Sequence, residues 1–98
     1  MKFEWDIEKE KANNKKHKVT FLEACYVFAD KYMLTFFDKE HSEDEDRWIT
    51  SGQIPNGKIL VVSHTYRKIK GKESVRIISA REATRHEEKQ YFERRVIS

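Results

Sequence analysis

The sequence holds one cysteine, Cys25, so no internal disulfide can form and nothing argues for secretion into an oxidising compartment. It lies among Phe21, Leu22, Ala24, Val27 and Phe28, where a buried, inert thiol is expected rather than a nucleophile. Apolar runs such as Ile59 to Val62 fall far below the length that spans a bilayer. No apolar stretch follows a basic start, so no signal peptide is expected. A cytoplasmic protein without membrane attachment is the expectation. Site signatures are missing too. The histidines and the cysteine show no zinc-ligand spacing, and Glu43-Asp44-Glu45-Asp46 lacks the alternation and glycine of a calcium loop. There is no phosphate loop, dinucleotide fingerprint or nucleophile elbow. Neither a metal nor a cofactor is expected.

What is present fits one domain over residues 1–98, with a modest core. The chain is 38% hydrophobic and 38% charged, but its 12% aromatic content is too high for a disordered segment. The charge is segregated. From Phe37 to Arg47, six acids face two bases; from Lys58 to Arg85, eight bases face two acids. A basic half of this kind is the footprint of a phosphate binder, and a solvated charged surface competes with that reading.

Phe3-Glu4-Trp5 alternates as a short edge strand does. Asp6 then caps a polar helix to about Lys16. Thr20 with Glu23 makes a capping box for a second helix, with Phe21, Ala24, Cys25 and Phe28 as its core stripe and Asp30-Lys31 as its end. Tyr32 to Phe37 and Arg47 to Ile54 read as strands around an exposed acidic loop. Pro55-Asn56-Gly57 turns into a long strand, Lys58 to Ile69, and Gly71 closes a hairpin into Val75 to Ser79. Ser79 with Glu82 matches another capping box, which predicts a helix from about Ala80 to Arg95. The sum is α+β: two N-terminal helices, an antiparallel sheet of about four strands and a C-terminal helix.

An ordered set of residues carries a family resemblance. Phe3-Glu4-Trp5-Asp6, Lys9, Asn13, Lys16-His17, Val19, Phe21, Ala24 and Phe28 form its first part. Asp38, His41-Ser42, Glu45, Arg47-Trp48 and Gly52 form the second. Thr65, Arg67, Arg76-Ile77-Ile78-Ser79-Ala80-Arg81, Glu87 and Tyr91 complete it. Over nearly its whole length the chain resembles the BrnT toxins. It departs at Lys18 and Lys31, where that family usually has glycine and proline; those positions concern turn geometry. The resemblance implies a RelE-like fold and a ribonuclease that blocks translation. It also implies neutralisation in a hetero-oligomer by a BrnA-type ribbon-helix-helix antitoxin, which alone contacts promoter DNA.

Metal-free RNA cleavage needs a base for the 2′-hydroxyl, an acid for the leaving oxygen, and cations for the charge growing on phosphorus. Arg67, Arg76 and Arg81 are the leading cations, because a guanidinium holds phosphate with two bonds and keeps its proton. Strand alternation puts Arg76 with Ile78 and Ile77 with Ser79. The predicted helix sets Arg81 in a first turn, where a phosphate would offset its conflict with the macrodipole. Pairing with Glu82, Glu87 or the acidic loop is the competing structural role. His17, His41 and Glu45 are the acid–base candidates, against plain capping or loop roles. Lys16, Lys68, Arg85 and Tyr91 are expected to contact RNA, Tyr91 by stacking or as a weak acid. The alternative function is a non-catalytic nucleic-acid-binding or protein-interaction module.

Overall fold

The computed structural model describes residues 1–97. Strand β1 (Lys2–Glu4) leads into helix α1 (Ile7–His17), whose N-cap Asp6 accepts from the amides of Glu8 and Lys9 at 2.8 and 3.2 Å. At its other end Lys18 closes the helix in the left-handed conformation, φ 59°. That geometry costs a residue with a Cβ about 1 kcal/mol and a glycine nothing, so position 18 would suit glycine.

The Thr20–Glu23 box forms in both directions, 3.0 and 3.1 Å, and starts α2 (Phe21–Cys25). The expected long second helix is not continuous: it tightens into a 3-10 turn over Tyr26–Ala29. This turn brings Val27 into the core against Gly52, where an added Cβ would meet Val27 Cγ1 and the Val27 carbonyl at 2.9 Å. Glycine is therefore needed at 52 for space. The Cys25 thiol donates to the Phe21 carbonyl, and burial pushes its pKa up, as suits an inert thiol.

Four further strands follow: β2 (Leu34–Phe37), β3 (Trp48–Gln53), β4 (Ile59–Ile69) and β5 (Lys72–Glu82). The Asn56-Gly57 turn forms, with Gly57 at φ 93°, and the second hairpin turns through Lys70 and Gly71, both at positive φ. The sheet has five strands in the order β1-β5-β4-β3-β2, not about four. The extra member is β1, which pairs parallel to β5 through Phe3 and Val75. Three residues of alternation carry little signal alone; a partner more than seventy positions away makes them a strand.

The C-terminal boundary is also corrected. Residues 79–82 continue β5, and helix α3 (Arg85–Ile97) starts later, at a different box in which Thr84 and Glu87 exchange bonds of 2.9 and 3.2 Å. Two tertiary partners hold the strand extended. On one side it pairs with β4, Val62 to Ala80 and Leu60 to Glu82. On the other, the Asn13 carboxamide donates to the Ala80 carbonyl at 2.8 Å and accepts from its amide at 3.1 Å, replacing a neighbouring strand.

A bulge between β4 and β5 overturns the simple alternation. Ser63 pairs with Ser79 but His64 pairs with Ile77, leaving Ile78 as the extra residue. Val75, Ile77 and Ala80 therefore share the core face with Leu60 and Val62, against Phe21, Ala24 and Val27. Arg76, Ser79 and Arg81 fall on the opposite face. There α3 is anchored through Arg81–Glu87 and Arg95–Gln53, leaving the stretch around Arg67 and Arg76 outside the core layer. Among the described residues no helix is long and apolar enough to cross a membrane.

Candidate active site

Arg67 and Arg76 stand on the open face from neighbouring strands. Arg67 donates to Glu4 at 2.9 Å, and Arg76 lies 3.7 Å from Glu45. With Trp5 and Asp6 they border a hollow of about 350 Å³. A second hollow, about 360 Å³, opens where α1 meets β5 and is lined by Lys9, Lys16, His17, Arg47 and Ser79 among others. A third, about 310 Å³, is formed by the acidic stretch and includes His41, Glu45 and Arg47. Arg47 lines the second and third hollows, and Glu45 joins the third to the Arg76 side of the first.

The acidic stretch is held in place rather than loose. The Asp38 amide bonds the Arg47 carbonyl at 2.8 Å, carrying the β2–β3 pairing one step further, and the Arg47 amide donates to Ser42 Oγ at 3.0 Å. Asp38 thereby comes within 2.9 Å of His41 Nδ1. A carboxylate there favours the tautomer with the proton on Nδ1 and leaves Nε2 as the acceptor of the ring.

Of the residues read from the sequence, Lys16, His17, His41, Glu45, Arg67 and Arg76 border these adjoining hollows. Arg81, Arg85, Lys68 and Tyr91 line none of them. Arg81 lies in β5, not in a first helical turn, so the phosphate-at-a-helix-start reading of it is withdrawn. Its guanidinium grips Glu87 through two bonds, 2.7 and 2.9 Å. That pairing raises the Arg81 pKa and holds Glu87 down at about 2. Lys68 alternates to the face opposite Arg67. Arg85 is exposed at the start of α3. Tyr91 is wholly buried and donates its hydroxyl to Asp30; burial and then that carboxylate push its pKa up to about 12. It offers neither a free ring face nor an available proton.

Lys9, Asp38, Arg47 and Ser79 were not picked out as site residues. Three of them come from a loop and a helix whose placement on the sheet no local pattern reveals, and Ser79 reaches the open face through the bulge. Another hollow, about 450 Å³ between Tyr26 and Pro55, has Asp30 as its one charged residue. Burial alone would raise Asp30, but bonds from the Gln53 amide, the Tyr91 hydroxyl and the Tyr32 amide, with Arg95 nearby, bring it below the ordinary value. That carboxylate is a structural hub.

His64 is outside the site, on the core face beside Phe28, with Nε2 2.7 Å from Thr50 Oγ1. Burial lowers its pKa from 6.5 to about 4, so it is neutral in the fold. An unfolded chain takes up that proton below about pH 6.5, so this contribution is whole above 6.5 and is lost as pH falls toward 4. It amounts to on the order of 3 kcal/mol. Unfolding midpoints measured from pH 7 to pH 4 are expected to fall, and to fall much less steeply in His64→Leu. An equally steep decline in the variant would assign the acid sensitivity to other groups.

The model of the family described as "Ribonuclease toxin, BrnT, of type II toxin-antitoxin system" matches residues 5–87. No curated protein matches the chain. Among solved structures, the crystal structure of the Brucella abortus ribonuclease toxin BrnT is similar in fold, with a TM-score of 0.61 and 22% identity over 87% of this chain and 99% of that one.

Proposed function

The chain belongs to the BrnT family, the ribonuclease toxins of type II toxin–antitoxin systems, and from that premise we propose a metal-independent RNA endonuclease that works on the open face of the sheet. The observation that supports the location is the set of adjoining hollows lined by Arg47, Arg67, Arg76, Lys16 and two histidines from four separate segments. Fixed cations close to the reacting phosphate are usually the largest single contribution to a reaction that builds charge on phosphorus. Arg67 and Arg76 are assigned to the scissile phosphate, where they exchange Glu4 and Glu45 for phosphate oxygens. Exposed ion pairs of this kind are worth at most about 1 kcal/mol, so the exchange is easy.

In this scheme His41, oriented by Asp38, takes the proton of the ribose 2′-hydroxyl. The 2′-oxygen attacks phosphorus, the bond to the 5′-oxygen breaks, and His17 supplies the proton that the 5′-oxygen needs. The products are a 2′,3′-cyclic phosphate and a 5′-hydroxyl. Glu45 acts by holding Arg76 until substrate arrives, rather than as the base. End-group analysis of RNA cut by the antitoxin-free chain is expected to show those termini, with cleavage undiminished in EDTA and DNA of the same sequence left intact. Products with 5′-phosphates, or activity that needs a divalent ion, would overturn the scheme.

A type II system supplies an antitoxin partner. We read that partner as a BrnA-type ribbon-helix-helix protein that covers the basic hollows in a hetero-oligomer and alone contacts promoter DNA. The helices on one face of the sheet and the C-terminal helix support a RelE-like assignment for the fold. Residues 1–98 are taken as one toxin domain that stops translation in the cytoplasm, where its substrate is.

A further inference from the structure

Thr65 is 2% exposed, and its hydroxyl has no hydrogen-bond partner among the described residues. A buried, unsatisfied hydroxyl costs stability, and one in a well-paired sheet calls for a reason. Its position supplies one. Thr65 lies across from Arg76 on β5, and Arg67 is two residues further along β4 on the same face. His64, its neighbour, points the other way into the aromatic core beside Phe28. Thr65 thus stands on the sheet face from which the two arginines assigned to the scissile phosphate also project, directly across from one and two residues along the strand from the other.

We propose that Thr65 is a catalytic residue whose hydroxyl donates to a non-bridging oxygen of the scissile phosphate once substrate has drawn Arg76 away from Glu45. The proposal rests on the placement of the reaction at Arg67 and Arg76. The Arg76–Glu45 contact is long, 3.7 Å, and half-exposed, so substrate displaces it at little cost. In the free protein the hydroxyl is hidden and unpaired; with substrate bound it meets an anionic oxygen, whose charge increases further toward the phosphorane. The interaction therefore grows along the reaction coordinate, which raises kcat more than it lowers KM. A threonine also fits where a longer donor would not, because its β-branched side chain has little freedom to turn away in a strand.

The test compares Thr65→Val, Thr65→Ser and Arg76→Ala in the antitoxin-free chain, using a fluorophore-labelled single-stranded RNA. Valine keeps the shape and removes only the hydroxyl. Thr65→Val is expected to lower kcat by on the order of 10- to 100-fold with KM changed less than about threefold. Its thermal midpoint should stay level or rise, because the unpaired polar group is gone. Thr65→Ser is expected to recover most of the rate. Wild-type kcat in Thr65→Val, or a serine variant as impaired as the valine one, would overturn the role of the hydroxyl. If Arg76→Ala is inactive in the same assay, the site itself stands and the assignment of Thr65 alone fails. If Arg76→Ala also cleaves normally, the placement of the reaction fails with it.

Discussion

Replacing Arg76 with alanine is expected to lower RNA cleavage by about two to three orders of magnitude, the effect of removing one fixed donor from the charge that develops in a transition state. Folding should be nearly unaffected. Arg76 is half-buried, and its one ion pair among the described residues is the long contact to Glu45, worth at most about 1 kcal/mol. Arg81→Ala is the contrasting variant. It removes both bonds to Glu87, leaving a carboxylate whose pKa of about 2 depends first on that guanidinium. Arg81→Ala should therefore lower the unfolding midpoint, while cleavage per folded molecule stays within about threefold. Cleavage rates and thermal unfolding measured on both variants separate the two arginines. A folded Arg81→Ala as inactive as Arg76→Ala would return Arg81 to the site.

The second large effect is on stability. Tyr91→Ala is expected to cost about 3–5 kcal/mol, since a fully buried aromatic ring is removed where α3 meets the rest of the fold. In a domain of this size that corresponds to a fall of more than about 12 °C in the unfolding midpoint. Tyr91→Phe keeps the ring and removes the donor to Asp30, for about 1.5–3 kcal/mol, as for a hydrogen bond to a charged group. Arg95 still holds the helix in that variant, through Gln53 at 2.9 Å and over the Tyr32 ring at 4.8 Å from its centre. Cleavage normalised to folded protein should match the wild type. An unchanged midpoint with a raised KM for RNA would instead place Tyr91 in contact with substrate.

Local chemistry was legible wherever both partners lie close in the chain. The Asp6 cap, the Thr20–Glu23 box and the two hairpin turns depend on residues within a few positions of each other, and all of them form. The same local logic failed at Ser79–Glu82. Those residues satisfy the capping pattern as well as Thr84 and Glu87 do, but β4 and the Asn13 carboxamide offer them a ladder sixty-seven residues from the second of those partners. A strand paired on both edges outweighs one cap.

The candidate site shows the same division. The ordered family pattern and the basic half named the arginines and histidines from sequence alone. Residue types and order also determined the family, the helix caps and the polar character of α1. Which arginines share the open face was decided only by the tertiary structure. One extra residue in β5, Ile78, reverses the strand's phase, so that Arg76 and Ser79 share a face that alternation assigned to different ones. The short loop ladder at Asp38 and Arg47 then sets His41 and Glu45 at that face, while the pairing of Arg81 with Glu87 ties that arginine to α3. A bulge shifts every later side chain by one face, and its position depends on the register of two strands rather than on the residues of either one.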